Sequence, residues 1–129
     1  MKALLDTNFL MIPGDFKVDI LSELLNLGYT EVYTIDLVVA ELNKLSTLGG
    51  KKARNARIGL EFIHQGGIVV LKAKADYADD EIVDLAKTKK YVACTQDKGL
   101  INRLKRGGLI YITLHQKKYL VESGRTWDI

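Results

Sequence analysis

Short apolar segments alternate with amphipathic segments along almost the whole chain, and this alternation constrains the fold more than any other feature. The strand-like segments are rich in leucine, β-branched and aromatic residues, and they cover residues 2–5, 31–35, 68–71, 91–95 and 109–114. Parallel strands need a long crossover, usually a helix, between one strand and the next. The alternation therefore predicts an α/β domain whose parallel sheet is covered by helices on both faces.

The intervening segments carry apolar residues at helical spacing, and glycines mark several of their ends. They predict helices over residues 16–27, 37–45, 51–65, 77–89 and 99–106. Asp36 and Asp76 are placed to serve as N-caps of the second and fourth of these helices. We find no long linker and no internal repeat, so residues 1–129 are expected to form a single domain.

Composition restricts the class of protein further. No apolar run approaches the roughly 20 residues that a membrane span needs, and Asp6 interrupts the apolar start where a secretory signal would continue. The one cysteine, Cys94, lies in a strand-like run, so we expect a buried thiol and a protein of the reducing cytoplasm. A net charge of +3 is compatible with nucleic-acid contact but does not predict it.

Two carboxylates follow strand-like segments. Asp6 ends the run from Lys2 to Leu5, and Asp97 comes shortly after the run that ends at Thr95. In open parallel sheets, ligands bind just beyond the carboxyl ends of the strands. Asp6 could instead start a turn, and Asp97 could simply cap the next helix, so neither residue alone indicates a site.

Two further acids lie on apolar helix faces. Glu41 shares a face with Val38 and Leu45, although the edge of that face could also leave it solvated. Asp79 lies on the face of Ile82, whereas its neighbour Asp80 lies on the polar face. Helical phase therefore favours Asp79 as the inward carboxylate, while a preference of acids for the first helical turn explains either one equally simply.

The four acids together are more informative than any one of them. Carboxylates brought within a few ångströms repel one another, and a cation stabilises such a cluster. The cluster offers carboxylate oxygens and has no cysteine or histidine partner, and such a ligand set favours Mg²⁺ or Mn²⁺ over zinc. The sequence therefore predicts a metal-dependent enzyme.

The order of these acids resembles the PIN-domain nuclease family over essentially the whole chain. The motifs that carry the resemblance are Leu-Leu-Asp6-Thr-Asn, Val-Val-Ala-Glu41-Leu, Tyr77-Ala-Asp79-Asp80-Glu-Ile-Val and Thr95-Gln-Asp97. Both the PIN proteins of ribosomal RNA processing and the VapC-type toxins share this arrangement of acids. The choice between Asp79 and Asp80 as the third acid stays open.

This resemblance implies a three-layer, Rossmann-like PIN fold with five parallel strands in the order 3-2-1-4-5. Strands 1 and 4 would then be neighbours, which puts Asp6 and Asp97 side by side. The implied activity is that of an endoribonuclease using one or two Mg²⁺ or Mn²⁺ ions held by Asp6, Asp79 and Asp97. Glu41 would complete the shell of the second ion or orient water, and Asn8 and Thr95 are candidates for orienting the carboxylates.

RNA is the implied substrate, and basic residues near the acids would contact its phosphates. The candidates are Lys51, Lys52, Arg54 and Arg57 at the start of one helix, and Lys98 and Arg103 after Asp97. Solvated helix faces explain both clusters equally well. Other implied partners are a second copy of the chain, and an antitoxin or a ribosome-assembly protein; no membrane association is expected.

Two other classes of function remain to be compared. A catalytically silent RNA-binding module of ribosome biogenesis would keep the fold and the basic residues but should have lost an acid, and none is missing. A receiver-like phosphotransfer domain would carry an acceptor aspartate after strand 3, where this chain has Leu71, Lys72 and Ala73. The biological role (toxin, ribosomal RNA maturation or general RNA turnover) is left open by the sequence.

Overall fold

The computed structural model describes residues 1–125, which form one six-stranded sheet surrounded by seven helices. The strands are β1 (Lys2–Leu5), β2 (Glu31–Ile35), β3 (Val69–Leu71), β4 (Tyr91–Cys94), β5 (Tyr111–His115) and β6 (Tyr119–Ser123). The helices are α1 (Thr7–Leu10), α2 (Ile12–Phe16), α3 (Ile20–Asn26), α4 (Asp36–Leu45), α5 (Gly50–Gln65), α6 (Ala78–Lys87) and α7 (Lys98–Arg106).

The sheet order is β3-β2-β1-β4-β5-β6, with β1 to β5 parallel and β6 antiparallel to β5. The predicted order 3-2-1-4-5 is confirmed, but the prediction of a five-stranded, all-parallel sheet was incomplete. The missed strand, β6, follows a tight turn in which Gln116 and Lys117 have φ values of 53° and 57°. Asparagine or glycine usually marks such a turn, and neither occurs at these two positions, so this hairpin was not predicted.

The strand order reverses direction at the β1–β4 pair, and this reversal distributes the helices over both faces. Right-handed crossovers place α1 to α5 on one face and α6 and α7 on the other. The packing agrees, since α5 packs on α2 and α4 while α6 packs on α7. The carboxyl ends of β1 and β4 therefore open into a crevice at the topological switch point.

Several predicted boundaries and burial patterns differ from the structure. The helix predicted over residues 16–27 is observed only from Ile20 to Asn26, as α3. Lys17 adopts a left-handed conformation with a φ of 56° that ends the preceding helix, α2, at Phe16. A sheet covered by helices on both faces implies that the third strand is buried, but Val69 and Val70 are 48% and 43% exposed. The reason is that β3 lies at the edge of the sheet and pairs only with β2.

The predicted N-caps at Asp36 and Asp76 were also wrong. The N-cap positions of α4 and α6 are Ile35 and Tyr77, and neither supplies a capping side chain. The carboxylate of Asp36 instead accepts a hydrogen bond at 3.0 Å from the backbone N–H of Ala73, which ties α4 to the segment after β3.

The core fills the space between the sheet and both helical layers. Leu4 and Leu5 of β1 are fully buried, and so is Cys94 of β4, as the sequence predicted. At Gly59, a β-carbon would lie 2.8 Å from the carbonyl oxygen of Leu10, so this glycine allows α5 to approach the end of α1. In the described part of the chain, no helix is both long and apolar enough to span a membrane.

Candidate active site

Asp6 occupies the junction between β1 and α1. Parallel pairing of β1 with β4 aligns the two strand ends, and the N–H of Asp6 donates to the carbonyl oxygen of Cys94 at 3.0 Å. The carboxylate accepts hydrogen bonds from the N–H of Thr7 at 2.7 Å and from the hydroxyl of Thr95 at 2.8 Å. With only 6% of its surface exposed, Asp6 is fixed in position by both strand ends.

Asp97 follows β4 and is the N-cap of α7. Its Oδ1 atom accepts from the N–H groups of Gly99 at 2.8 Å and Leu100 at 3.3 Å, which leaves Oδ2 outside these two hydrogen bonds. The N–H of Asp97 donates to Oγ1 of Thr95 at 3.0 Å, while that same hydroxyl donates to Asp6. Thr95 thus connects the two strand-end carboxylates, and the capping role of Asp97 coexists with its place at the crevice.

Glu41 lies on α4 beside Val38 and Leu42, which are both fully buried. Its own side chain lies at the exposed edge of this face. Of the two alternatives that the sequence left open, the solvated position is therefore the one observed. Thr7 donates a hydrogen bond to Glu41 Oε2 at 2.9 Å. Because the N–H of Thr7 also binds Asp6, this threonine connects the helical acid to the strand-end acid.

The adjacent acids of α6 have different surroundings. Asp79 faces the crevice and precedes the buried Ile82 and Val83 on its helix. Asp80 forms an ion pair with Arg103 of α7 at 2.9 Å, and both side chains are about half exposed (49% and 40%). Of the two, the structure brings Asp79 together with the other three acids.

The four carboxylates line one pocket of about 190 Å³ at the carboxyl ends of β1 and β4, which we call the acid pocket. Its lining residues are Asp6, Thr7, Asn8, Met11, Glu41, Leu45, Lys52, Asp79 and Asp97. A larger pocket of about 310 Å³ lies between α3 and α5, but its only acids are Asp19 and Glu61. Chemical content rather than size therefore identifies the acid pocket as the candidate active site.

Burial raises the pKa of Asp6 to about 6. The hydrogen bonds from Thr95 and Thr7 oppose this shift, while the negative charges of Asp79 and Glu41 add to it. Desolvation disfavours a charged carboxylate, and nearby like charges do the same. The Asp6 carboxylate is therefore held in an environment that favours a compensating positive charge.

Asp79 shows the same pattern at lower burial. Partial burial is the largest cause of its raised pKa, and the neighbouring negative charge of Asp97 is the second. The Arg103 guanidinium opposes this rise, and Glu41 and Asp80 add to it. The four pocket acids are therefore close enough to influence one another electrostatically, although they come from four separate parts of the chain.

The donor set of the acid pocket fits a hard divalent cation. Carboxylate oxygens are the preferred protein ligands of Mg²⁺ and Mn²⁺. Burial first, and then the neighbouring acids, raise the pKa of Asp6 and of Asp79, and a bound cation would oppose both effects. As placed within residues 1–125, no three histidine, cysteine, aspartate or glutamate side chains form a group that could hold a metal ion. The four carboxylates thus line one pocket without forming a preassembled group of three ligands.

The predicted basic residues separate into two groups. Lys52 lines the acid pocket itself, and Lys51 and Arg54 line a neighbouring pocket of about 380 Å³ together with Lys17. Lys17 was not predicted, because it lies far from the other basic residues in sequence. These residues place positive charge beside the crevice on the α2–α5 side.

The remaining candidates lie elsewhere. Arg57 donates to the carbonyl oxygen of Ser46 at 2.9 Å. Lys98 is the exposed first residue of α7, and Arg103 pairs with Asp80. Asn8 lines the acid pocket but binds the backbone N–H of Gln96 at 3.0 Å, so its strongest contact is not with a carboxylate.

Two residues important to the site were missed by sequence reasoning. Thr7 was not predicted as a site residue, although it is the first residue of α1 and forms hydrogen bonds with both Asp6 and Glu41. Glu81 is only 5% exposed, and its Oε1 atom accepts the N–H groups of Lys74 and Ala75 at 3.0 and 2.9 Å. No short-range pattern in the sequence indicates either role, because both depend on partners from other elements.

Comparison with known proteins now identifies the class. Residues 3–117 match the family described as PIN like domain, and the chain belongs to this family. The acid pocket lies where the order of the sheet strands reverses, which is where ligands bind in related α/β folds.

Individual relatives agree with this assignment. The ribonuclease VapC9 of Archaeoglobus fulgidus is 28% identical over 108 residues, which are 83% of this chain and 78% of the relative. The structure of the PIN domain endonuclease Utp24 matches with a TM-score of 0.76 and 25% identity, covering 96% of this chain and 92% of that one. A domain of a functionally unknown Methanocaldococcus jannaschii protein shares the fold, with a TM-score of 0.53, 23% identity, and coverages of 88% and 91%.

Proposed function

We propose that the protein is a metal-dependent endoribonuclease that hydrolyses phosphodiester bonds of RNA in the acid pocket. The observation that carries this proposal is the convergence of Asp6, Glu41, Asp79 and Asp97 on one pocket. The names of the relatives, a ribonuclease and a PIN domain endonuclease, support the reaction. RNA as the substrate is supported by the ribonuclease relative.

Asp6, Asp79 and Asp97 would hold one or two Mg²⁺ or Mn²⁺ ions, with Glu41 completing the set. When bound, such a cation neutralises charge on the phosphate, lowers the pKa of water and assists the leaving oxygen. Oδ2 of Asp97 lies outside the capping hydrogen bonds and is therefore the oxygen of this residue that we assign to the cation.

The threonines of the site act as positioning residues. Thr95 fixes the Asp6 carboxylate and the backbone of Asp97 at once, and Thr7 fixes Asp6 and Glu41 at once. Hydrogen-bonded partners of this kind hold carboxylates in the orientation that a metal site needs. Asp6 is the most buried of the four acids, and its carboxylate accepts two hydrogen bonds, so we assign it the role of the fixed ligand around which the others are arranged.

Binding of the RNA backbone falls to the basic residues beside the pocket. Lys52 can reach a phosphate placed among the acids, and Lys51, Arg54 and Lys17 continue the positive charge along the neighbouring pocket. Arg57, Lys98 and Arg103 would add to it from other positions. Contacts with phosphates release counterions, so the affinity for RNA should fall as salt rises.

The biological setting is part of the proposal. A toxin-type ribonuclease would have an antitoxin partner, whereas an enzyme of ribosomal RNA processing would associate with ribosome-assembly proteins. A homodimer is compatible with either role. We place the protein in the cytoplasm, where RNA substrates occur and where the buried thiol of Cys94 would stay reduced.

The test of the catalytic proposal is the substitution Asp6→Asn. Asparagine is nearly isosteric, so the variant should fold and bind RNA while losing at least about 100-fold in cleavage, the upper range for loss of a supporting group. Asp19→Asn is a matched control, because Asp19 is also a helix N-cap but lies outside the acid pocket. Asparagine caps helices as well as aspartate, so this control should cleave normally.

Cleavage of labelled single-stranded RNA with Mn²⁺, run beside a binding assay at two salt concentrations, measures both properties. If the wild-type protein binds several RNAs and cuts none of them, the silent binding module replaces the nuclease. If Asp6→Asn cuts as fast as the wild type, the activity belongs to a contaminant and the assignment of the acid pocket fails.

A further inference from the structure

The segment between β3 and α6, residues 72–77, exposes an aromatic ring and two lysines, and we call it the α6 entry loop. Tyr77 is 73% exposed, more than any other large hydrophobic side chain in the described part of the chain. Lys72 and Lys74 are also exposed, and neither forms an ion pair with a residue between 1 and 125. Asp76 offsets part of this charge, so the loop is basic by one unit.

In the described part of the chain, no hydrogen bond or ring contact of the Tyr77 side chain explains the position of its ring. It is the N-cap residue of α6 but makes no side-chain capping hydrogen bond. Within residues 1–125, its phenol group takes part in no hydrogen bond or ring–ring contact, and only its backbone carbonyl is engaged, by the N–H of Glu81 at 3.1 Å. A large aromatic surface is thus left in water, where it is available to a ligand.

The backbone of the loop is nonetheless held in place. The buried Glu81 carboxylate accepts the N–H groups of Lys74 and Ala75, and Asp36 accepts the N–H of Ala73 at 3.0 Å. These contacts anchor the loop to both α6 and α4, the helices that carry two of the pocket acids. A fixed backbone lowers the entropy that a ligand would have to remove on binding.

The loop also lies next to the acid pocket. Tyr77 precedes Asp79 by two residues, so their α-carbons are separated by at most roughly 7 Å. This distance corresponds to about two nucleotide steps at the 3.4 Å spacing of a stacked strand. An RNA strand with a phosphate among the acids would therefore bring a neighbouring base within reach of the tyrosine ring.

We propose that the α6 entry loop is a binding site for unpaired nucleotides next to the cleaved bond. Tyr77 stacks on one base, while Lys72 and Lys74 contact the phosphates that flank it. Aromatic rings interleaved with basic residues are the usual means of binding single-stranded nucleic acid, because every base offers a π face. This inference rests on the proposed function, and it makes unpaired RNA the preferred substrate, since a base inside a duplex offers no free face.

The test combines Tyr77→Ala and Tyr77→Phe with RNA that lacks a single base. Binding is measured in the Asp6→Asn background, which keeps the RNA intact, using a defined single-stranded RNA in which an abasic site is moved one position at a time. Tyr77→Ala should weaken binding about 5- to 150-fold, the range for loss of one stacked base. Tyr77→Phe should bind normally, because stacking needs the ring and not the hydroxyl group.

One abasic position should identify the stacked base. At that position the RNA should bind weakly to the parent protein but lose little more with Tyr77→Ala, because ring and base form one interaction. Tyr119→Ala is the matched control: its ring is 42% exposed but belongs to β6 at the far edge of the sheet. Lys72→Gln and Lys74→Gln should each lower the salt slope of single-strand binding by about 0.7.

Failure of this inference is distinct from failure of the nuclease assignment. If the protein cuts RNA but Tyr77→Ala binds and cuts like the wild type, the loop proposal is overturned and the ring is available instead for a protein partner. A loss that is equal on duplex and single-stranded RNA would also overturn it. If no RNA is cut but binding still depends on Tyr77 and one base, the nuclease proposal falls and the loop site stands.

Discussion

The acid pocket and the cluster around Glu122 on β6 both hold partly buried carboxylates, but they shift the carboxylate pKa in opposite directions. Glu122 accepts hydrogen bonds from the guanidinium of Arg125, one of them at 2.9 Å, and from the hydroxyl of Tyr29. These contacts lower its pKa. Asp6 is bonded only to neutral donors and faces other acids, and its pKa rises to about 6.

The difference shows how a functional carboxylate can be told from a structural one. At Glu122 the protein itself supplies the neutralising cation, the guanidinium of Arg125. The hydrogen bond from Tyr29 joins the hairpin to the segment before β2. In the acid pocket, Lys52 is the one basic residue of the lining, and none of the four acids forms an ion pair with a residue between 1 and 125, which costs stability. A chain gains from such an arrangement when a ligand provides the missing positive charge, so perturbed groups of this kind are candidates for function.

We expect the largest change in RNA cleavage from a substitution within α6. Asp79→Asn removes a pocket acid that forms no ion pair with any residue from 1 to 125. It should lower RNA cleavage by at least about 100-fold, the upper limit of the range for supporting groups. Asp80→Asn removes an acid that Arg103 already neutralises, so cleavage should stay within a few fold of wild type. Initial rates with Mn²⁺ measure both variants. A greater loss with Asp80→Asn would reverse the roles we assign to the two residues.

The second effect concerns stability and pH. Because the pKa of Asp6 rises from 3.8 to about 6 on folding, the native state binds this proton more tightly than the unfolded chain does. The stabilisation of the native state by the protonated Asp6 is present in full below pH 3.8 and is lost as the pH rises through about 6. A shift of two units corresponds to about 3 kcal/mol. In chelator at pH 7, Asp6→Asn should therefore be more stable than wild type by up to this amount.

Urea unfolding of both proteins between pH 4 and pH 7 measures the difference between their free energies of unfolding. Groups other than Asp6 titrate in both proteins, so their effects cancel in this difference. The difference should approach zero towards pH 4. Adding Mn²⁺ at pH 7 should stabilise the wild type by about 2.7 kcal/mol at a hundred times its dissociation constant, and the variant by less. If the wild type becomes more stable than Asp6→Asn as the pH rises in chelator, the pocket is not an uncompensated site.

The smallest expected effect lies at Glu122. Glu122→Gln removes the charge that Arg125 contacts, and it should lower the free energy of unfolding by about 1 kcal/mol, since the pair is partly open to solvent. The lowered pKa means that this contribution is present at neutral pH and is lost as the pH falls below about 4.5, opposite in sign to Asp6. RNA cleavage should be unchanged. A loss of cleavage as large as that of Asp79→Asn would erase the distinction between the two regions.

Much of the fold could be predicted from local patterns. The strand at residues 31–35 and the helix ends at Leu45 and Gln65 match the structure, because apolar spacing and glycine breaks encode them directly. The neighbouring positions of Asp6 and Asp97 followed once the sheet order was known. The β6 hairpin was missed, since Gln116 and Lys117 adopt positive φ angles without the usual turn residues.

The alternating α/β architecture and the positions of the acids along the chain follow from the order of the amino acids alone. Its periodicity placed Glu41 and Asp79 beside apolar neighbours, and the resemblance of its motifs indicated the PIN family. These properties are local: each depends on residues within a few positions of one another, and the hydrophobic effect acts on that spacing directly.

Which acids share a pocket, and which of them pair with a basic residue, depends on the folded structure. The hydroxyl of Thr95 reaches Asp6 across 89 positions of sequence, and that of Thr7 reaches Glu41 across 34. Asp79 and Asp80 differ by one residue, yet one faces the pocket while the other meets Arg103 of α7. Hydrogen bonds and charge interactions act over a few ångströms, so these assignments depend on which distant segments the folded sheet brings together.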